Sequence, residues 1–173
     1  AVRGHKAIAN YDALPGWAQS FYVQESKTTG SKVSVALTAN VILDLAFIAR
    51  HGLAFDKRFA QTGGSDSFLG AEIQRYGGEI RFVREAVVYE YFPASRVNVS
   101  WLFRRYYRYG NNRARNTIYL DGRTAYFKSL PLNIAKYLKK AIKMLLLWPI
   151  HRKAHYGVKA LRSIIKMIGY ITA

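Results

Sequence analysis

Residues 62–93 read TGGSDSFLGAEIQRYGGEIRFVREAVVYEYFP, and this stretch decides the fold class. Two glycine pairs, Gly63-Gly64 and Gly77-Gly78, bracket a segment in which Leu69, Ile73 and Tyr76 recur at helical spacing. Ser65 or Asp66 stands ready as N-cap, so the spacing predicts one helix of about three turns. Glu79 to Arg84 and Ala86 to Tyr91 then read as two short strands rich in Val, Ile, Phe and Tyr, ended by Pro93. A helix feeding strands points to an α/β fold.

Working outward, Lys32 to Leu43 alternates and is β-branched at Val33 and Val35, which predicts a strand entering the core. Asp44 to Gly52 reads as a short helix with a glycine stop, and Asp56 to Gly64 as a loop. Beyond Pro93, Asn98 or Ser100 caps a helix running through Trp101, Leu102, Arg105 and Arg108. After Asp121 the chain has 11 Lys and Arg and no acid. Its apolar residues draw one stripe at Ile134, Leu138, Ala141, Leu145 and Trp148, broken by Pro149, and a second at Val158, Leu161, Ile165 and Ile168. Lys136, Lys139, Lys140 and Lys143 lie beside the first stripe; Lys159, Arg162 and Lys166 lie opposite the second. Either these stripes rest on an anionic membrane surface, or they cover the globular domain with their lysines in water. No apolar run approaches the ~18 residues of a spanning helix.

With 173 residues, half of them hydrophobic, the chain is long enough for one core and too apolar for a disordered basic tail. Its net charge of +17 is unevenly placed: residues 1–90 carry 10 Lys and Arg against 9 acids, residues 91–173 carry 17 against 1. A field of that sign attracts phosphates. The absence of cysteine excludes disulfides and thiolate chemistry, and four scattered histidines give no zinc spacing. A start at Ala1-Val2-Arg3-Gly4, without Met or signal segment, leads us to expect a piece of a longer protein.

One carboxylate on a glycine turn, followed by Arg104-Arg105-Tyr106-Tyr107-Arg108-Tyr109-Gly110, suggests proton abstraction beside a phosphate site. The positive end of a helix favours an ionised carboxylate, which suits Asp66 to the role of base. The plainer reading of Asp66 is an ordinary N-cap. Guanidinium forks suit phosphate oxygens, and residues three and four apart share a helix face, which aligns Arg104 with Arg108 and Arg105 with Arg108. The plainer reading of the arginines is a solvated or lipid-facing ridge.

Several short segments, in order from about residue 25 to 115, together resemble the C-terminal half of family 2 glycosyltransferases. They are Thr29-Gly30, Thr38-Ala39-Asn40-Val41, Phe55-Asp56-Lys57-Arg58-Phe59, Thr62 to Leu69, Val87-Val88-Tyr89-Glu90, Pro93, Arg96, Trp101 and Arg104-Arg105 through Gly110-Asn111. The likeness is greatest to bacterial succinoglycan and exopolysaccharide biosynthesis transferases. It implies a partial GT-A (Rossmann-like) fold with an amphipathic helical tail, a nucleotide-sugar donor, and inversion at the anomeric carbon. It also implies Asp66 as catalytic base and an acceptor site at Asn40, Gly63, Gly64, Ser65, Trp101 and Tyr109. Arg104, Arg105 and Arg108 would meet the donor diphosphate. Glu90 falls where many members have a histidine near the donor metal, so it ligates or orients Mg2+ or Mn2+, or else it is the counter-ion of Arg96 or Arg84. Ser65 departs from the Glu usual before this Asp, which bears on acceptor orientation.

No Asp-x-Asp occurs, and the uridine-binding segment that opens these enzymes has no counterpart. By the resemblance, the metal carboxylates and base pocket belong to an N-terminal half not in this sequence, and the chain alone is expected to be inactive. The expected organisation is residues 1–121 as acceptor-side catalytic domain and 122–173 as basic membrane-interfacial tail. The expected acceptor is a lipid-linked saccharide, and the expected location is peripheral on the cytoplasmic face of the inner membrane. Two other classes stay open, a basic nucleic-acid-binding module and a non-catalytic membrane-associated fragment. Nucleic acid is not expected, because the aromatics fall on a helix and no RNP-type segment is present.

Overall fold

Val2–Ile8 (β1) is the middle strand of a three-stranded sheet, flanked by Val41–Ile42 (β2) and Arg81–Glu90 (β3). The computed structural model describes residues 1–19, 27–151 and 154–173, with side chains described outside 151–155. Its elements divide into two units, Ala1–Ala9 with Gln24–Tyr91, and Asn10–Val23 with Phe92–Ala173. The chain is mixed helix and strand with a small sheet.

In the first unit β2 runs antiparallel to β1 and β3 runs parallel to it. Parallel pairing requires a long crossover, and that crossover holds the helices Leu45–Arg50 (α2) and Ser65–Arg75 (α3). Both stand where the sequence spacing places them. Asp44 accepts a hydrogen bond from the Phe47 amide at 3.0 Å to start α2, and α3 lies between its glycine pairs. The Asp56 to Gly64 loop contains one 3-10 turn, Lys57–Phe59, capped by Asp56. Val33, Ala36, Leu53, Leu69, Ile73, Ile80 and Phe82 form the core, with Phe47 and Ile48 packed against it.

Two expectations for the strands are corrected. The two strands expected at Glu79 to Arg84 and Ala86 to Tyr91 are one strand with an irregularity, since Gly4 pairs with Val83 but His5 with Val87. The strand expected over Lys32 to Leu43 reduces to a bridge at Lys32 and the pair Val41–Ile42. Its middle is pressed by α3 instead: a methyl at Gly70 would meet the Ser34 carbonyl and the Ala36 amide, and Gln74 Nε2 donates to the Ser34 carbonyl at 3.1 Å.

The second unit holds a short helix, Gly16–Gln19 (α1), and two long ones, Val99–His151 (α4) and Ala154–Ile171 (α5). Asn98 caps α4 through the Trp101 amide at 2.8 Å. At Gly122 the backbone leaves helical geometry (φ 87°, ψ 165°) and divides α4 into two arms. The change of composition after Asp121 coincides with this bend, which lies inside the second unit. Pro149 does not break the helix there, which remains helical to His151 among the described residues. Arg152 and Lys153, counted among the tail cations, lie outside the described residues.

Helix α5 is held to both arms. On the first arm, a methyl at Gly110 would overlap the Lys166 carbonyl and one at Gly169 the Tyr107 carbonyl, so backbone lies directly on backbone. On the second arm, the hydroxyl of Tyr170, 1% exposed, accepts from Asn133 Nδ2 and shares a hydrogen bond with the Ser129 hydroxyl (both 3.0 Å), and its carbonyl takes the Tyr126 hydroxyl at 2.9 Å. The packed face of α5 is Ala160, Ser163, Ile165, Gly169 and Tyr170; of the expected stripe Ile165 is buried, whereas Leu161 and Ile168 are exposed. Along the second arm Leu138, Ile142, Leu145 and Leu146 are exposed as well, and a shallow apolar trough of about 590 Å3 runs along Leu138, Ile142 and Leu146 beside Lys139 and Lys143. No helix among the described residues is long and apolar enough to cross a membrane.

Gly169→Ala should lower the stability of the second unit by roughly 2–3 kcal/mol, the cost of overpacking a closed contact. A lower urea midpoint with unchanged slope is the expected readout.

Candidate functional site

The turn before α3 places Asp66 by backbone geometry. Gly63 and Gly64 both have positive φ (70° and 107°), conformations that side chains resist. Gly64 itself is the N-cap and makes no side-chain cap, so neither Ser65 nor Asp66 caps the helix. Asp66 sits one residue inside the first turn, half-buried, with Oδ1 accepting from the Ser67 amide at 2.8 Å. A carboxylate there sees the positive helix end. Behind it Phe68 is buried and tilts on Phe59 at 5.2 Å. Arg58 reaches over Phe68 but is committed to Asp56, whose carboxyl it holds below its ordinary value by hydrogen bonding. Glu72, further along α3, is pushed up by burial and secondarily by Asp56. Composition and spacing do not single out Glu72, since nothing local marks which helix face is covered.

Asn40 serves the fold. Its Nδ2 donates to the His5 carbonyl at 3.0 Å and the Ala86 carbonyl at 2.8 Å, bridging the irregularity between β1 and β3. Gly4 makes room for this, because a side chain there would strike the Asn40 amide. Glu90 forms an ion pair with Lys6. That pairing is a counter-ion contact, one of the two roles read for Glu90. No group of three or more His, Cys, Asp or Glu able to hold a metal ion occurs among the described residues.

On the first arm of α4, Trp101, Arg104, Tyr107 and Arg108 line one cleft of about 330 Å3. Tyr107 is tied to Thr172 of α5 at 2.8 Å. Arg105 does not join this cleft. It lies over the rings of Trp101 (4.8 Å) and Tyr109 (5.2 Å), one turn before and after it, because flat guanidinium stacks on aromatic faces at i±4. The expected alignment of Arg104 with Arg108 is seen; that of Arg105 with Arg108 is not. Cation–ring contacts continue across to α5. Lys166 Nζ lies 5.3 Å from both the Tyr109 and Tyr106 ring centres, and Arg162 lies 5.4 Å over Tyr106. Burial, then Arg162, Lys140 and Arg113, lower Lys166 to about 8. Burial pushes the Tyr106 phenol up. Lys166 and Arg162 were expected on an anionic membrane surface or in water; the small residues at 160, 163 and 169 are the signal that could have turned this face inward.

Part of the chain is similar to the succinoglycan biosynthesis protein ExoM of Rhizobium meliloti (strain 1021), with 27% identity over 105 residues, 61% of this chain and 30% of that protein. The chain thus spans under a third of the length of the curated relative it matches. No protein-family model matches it, and no solved structure matches it. It is a distant relative of a succinoglycan biosynthesis protein, the group its motifs resemble.

Asn40→Ala leaves two backbone carbonyls without their donor and should cost roughly 1–3 kcal/mol, read as a lower urea midpoint. The second unit should also depend on pH. Lys166 titrates near 8 when folded against 10.5 ordinarily, so the unfolded chain binds the extra proton and stability rises with pH between those values. Tyr106, Tyr126 and Tyr137, all raised above 10, reverse the trend above that value. Lys166→Met should be at least as stable at pH 7 and lose most of the rise between pH 8 and 10 in melting scans.

Proposed function

We propose that the chain is the acceptor-side part of an inverting family 2 glycosyltransferase of GT-A type. The enzyme moves a sugar from a nucleotide-sugar donor to a lipid-linked saccharide in surface-polysaccharide synthesis. The observation that carries the reading is Asp66, held half-buried at the positive end of α3 by two left-handed glycines. Kinship to a succinoglycan biosynthesis protein supports the same class.

In this reading Asp66 accepts the proton of the acceptor hydroxyl as its oxygen bonds to the anomeric carbon, and the bond to the nucleoside diphosphate breaks on the opposite face. Gly63, Gly64 and Ser65 shape the acceptor side; a side chain at Gly63 would meet no atom within 4 Å, so the surface there is open to a sugar ring. Arg104 and Arg108 offer planar forks for departing diphosphate oxygens, and the Trp101 ring forms the cleft wall between them and Arg105. Tyr109, exposed and stacked by Arg105, stays an acceptor contact. Among the described residues Glu90 is paired with Lys6 and no group of three or more metal-binding side chains occurs, so in this reading the donor's Mg2+ or Mn2+ is held mainly by the N-terminal half. No step is assigned to the metal here.

The exposed face of Leu138, Ile142 and Leu146 beside Lys139 and Lys143 supports peripheral attachment to an anionic membrane, the cytoplasmic face of the inner membrane in this reading. A lipid-linked acceptor would be met on that same surface.

Asp66→Asn in the full-length enzyme should reduce sugar transfer roughly 10²–10⁴-fold while flotation with anionic liposomes is kept. Ile142→Glu with Leu146→Glu should do the reverse, losing flotation while retaining transfer to a soluble acceptor analogue. Undiminished transfer by Asp66→Asn would remove Asp66 as the base.

A further inference from the structure

We propose that Lys166 of α5 is a positioning residue for Tyr109, holding that ring in the orientation in which it meets the acceptor. The role of Tyr109 as an acceptor contact rests on the transferase reading; the geometry around it stands without that reading. Tyr109 is 43% exposed on the first arm of α4, where a helix allows its side chain two orientations. Two cations remove that choice. Arg105, one turn earlier, lies 5.2 Å from the ring centre, and Lys166 Nζ reaches it from α5 at 5.3 Å. The same ammonium lies 5.3 Å from the ring centre of buried Tyr106, which meets the Tyr109 ring edge-on at 5.7 Å. Its backbone is fixed as well, because the Lys166 carbonyl lies against Gly110, the residue after Tyr109. Arg105 extends the arrangement to the Trp101 ring at 4.8 Å, and Trp101 walls the cleft that holds Arg104 and Arg108.

A ring already held when the acceptor arrives spares the entropy of ordering it on binding. The attraction of an ammonium for a ring ends when the ammonium loses its proton, so the hold on Tyr109 is conditional on charge. The groups acting on Lys166 are Arg162 of its own helix, Tyr106, Tyr109 and Arg113 of the first arm, and Lys140 of the second; α1, also packed on α5, brings no titratable group. Burial first, and these cations after it, lower Lys166 to about 8. Below that pH the contact is present, and above it the contact is lost, while Arg105 stays charged throughout.

The ring itself is read by NMR of the whole chain carrying tyrosine labelled with carbon-13 at Cε, the Tyr109 signal being identified by its loss in Tyr109→Phe. That signal should shift in the parent with a midpoint of about 8, and lack the shift in Lys166→Met and Lys166→Arg. In the full-length enzyme, with a short alkyl diphosphate-linked saccharide as acceptor, the parent's acceptor KM should rise about threefold to tenfold from about pH 7 to about pH 9, with kcat and donor KM little changed. Lys166→Met should show the higher KM at both pH values and Lys166→Arg the lower one at both, since a guanidinium keeps its charge. In a Tyr109→Ala background Lys166→Met should add nothing. No ring shift in the parent, or an undiminished one in Lys166→Met, overturns the contact whether or not the chain belongs to a transferase. An acceptor KM that Lys166→Met leaves unchanged, or an additive loss in Tyr109→Ala, overturns its role toward the acceptor. Absence of sugar transfer by the full-length parent overturns the transferase reading and that role with it, while the ring shift still decides the contact.

Discussion

The second unit depends on one close crossing, where Gly110 of α4 and Gly169 of α5 bring backbone onto backbone. At that separation small residues, Ala160, Ser163 and Gly169, fill much of the contact face of α5, with Ile165 and Tyr170 buried beside them. Two other features follow. The larger apolar residues Leu161 and Ile168 are left facing outward. The long cations Arg162 and Lys166 fold back along the crossing and settle on Tyr106 and Tyr109, because their apolar stems gain from covering aromatic faces. Outward-facing apolar residues and cations folded onto tyrosine rings are thus two outcomes of the same small-residue contact.

Much of the first unit is legible in its residues because the deciding signals are local. Asp44 and Gly63-Gly64 each set a helix start from within a few residues, as Asn98 does in the second unit. Strand β1 is harder to read, since Gly4, His5 and Lys6 interrupt any alternation, and its central place comes only from pairing on both edges. The segment from Ser34 to Ala36 has strand-like residues and is not a strand, because α3 occupies it through Gly70. Tertiary contact overrides propensity there.

The candidate site shows the same division. The turn at Asp66 is readable because only glycine accepts its backbone, although the cap moves to Gly64. Asn40 has no local signal for its role; that comes from two carbonyls 35 and 46 residues away. The arginines of α4 are readable as a row but not by direction. Spacing pairs Arg104 with Arg108, yet it does not reveal that Trp101 and Tyr109 draw Arg105 away from them. The uneven charge of the chain is legible from the start, whereas its concentration around Lys166 requires the fold.

The bend at Gly122 separates two helical phases. In an unbroken helix each added residue rotates everything beyond it by about 100°, so one insertion would turn the Tyr126, Ser129 and Asn133 face away from Tyr170. With the ladder interrupted, the arm bearing Gly110 and the arm bearing Asn133 each keep their own angular register against α5. Length changes next to the bend are therefore absorbed there, and the apolar lysine-edged arm is free to lengthen or drift in sequence while the glycine crossing stays unchanged.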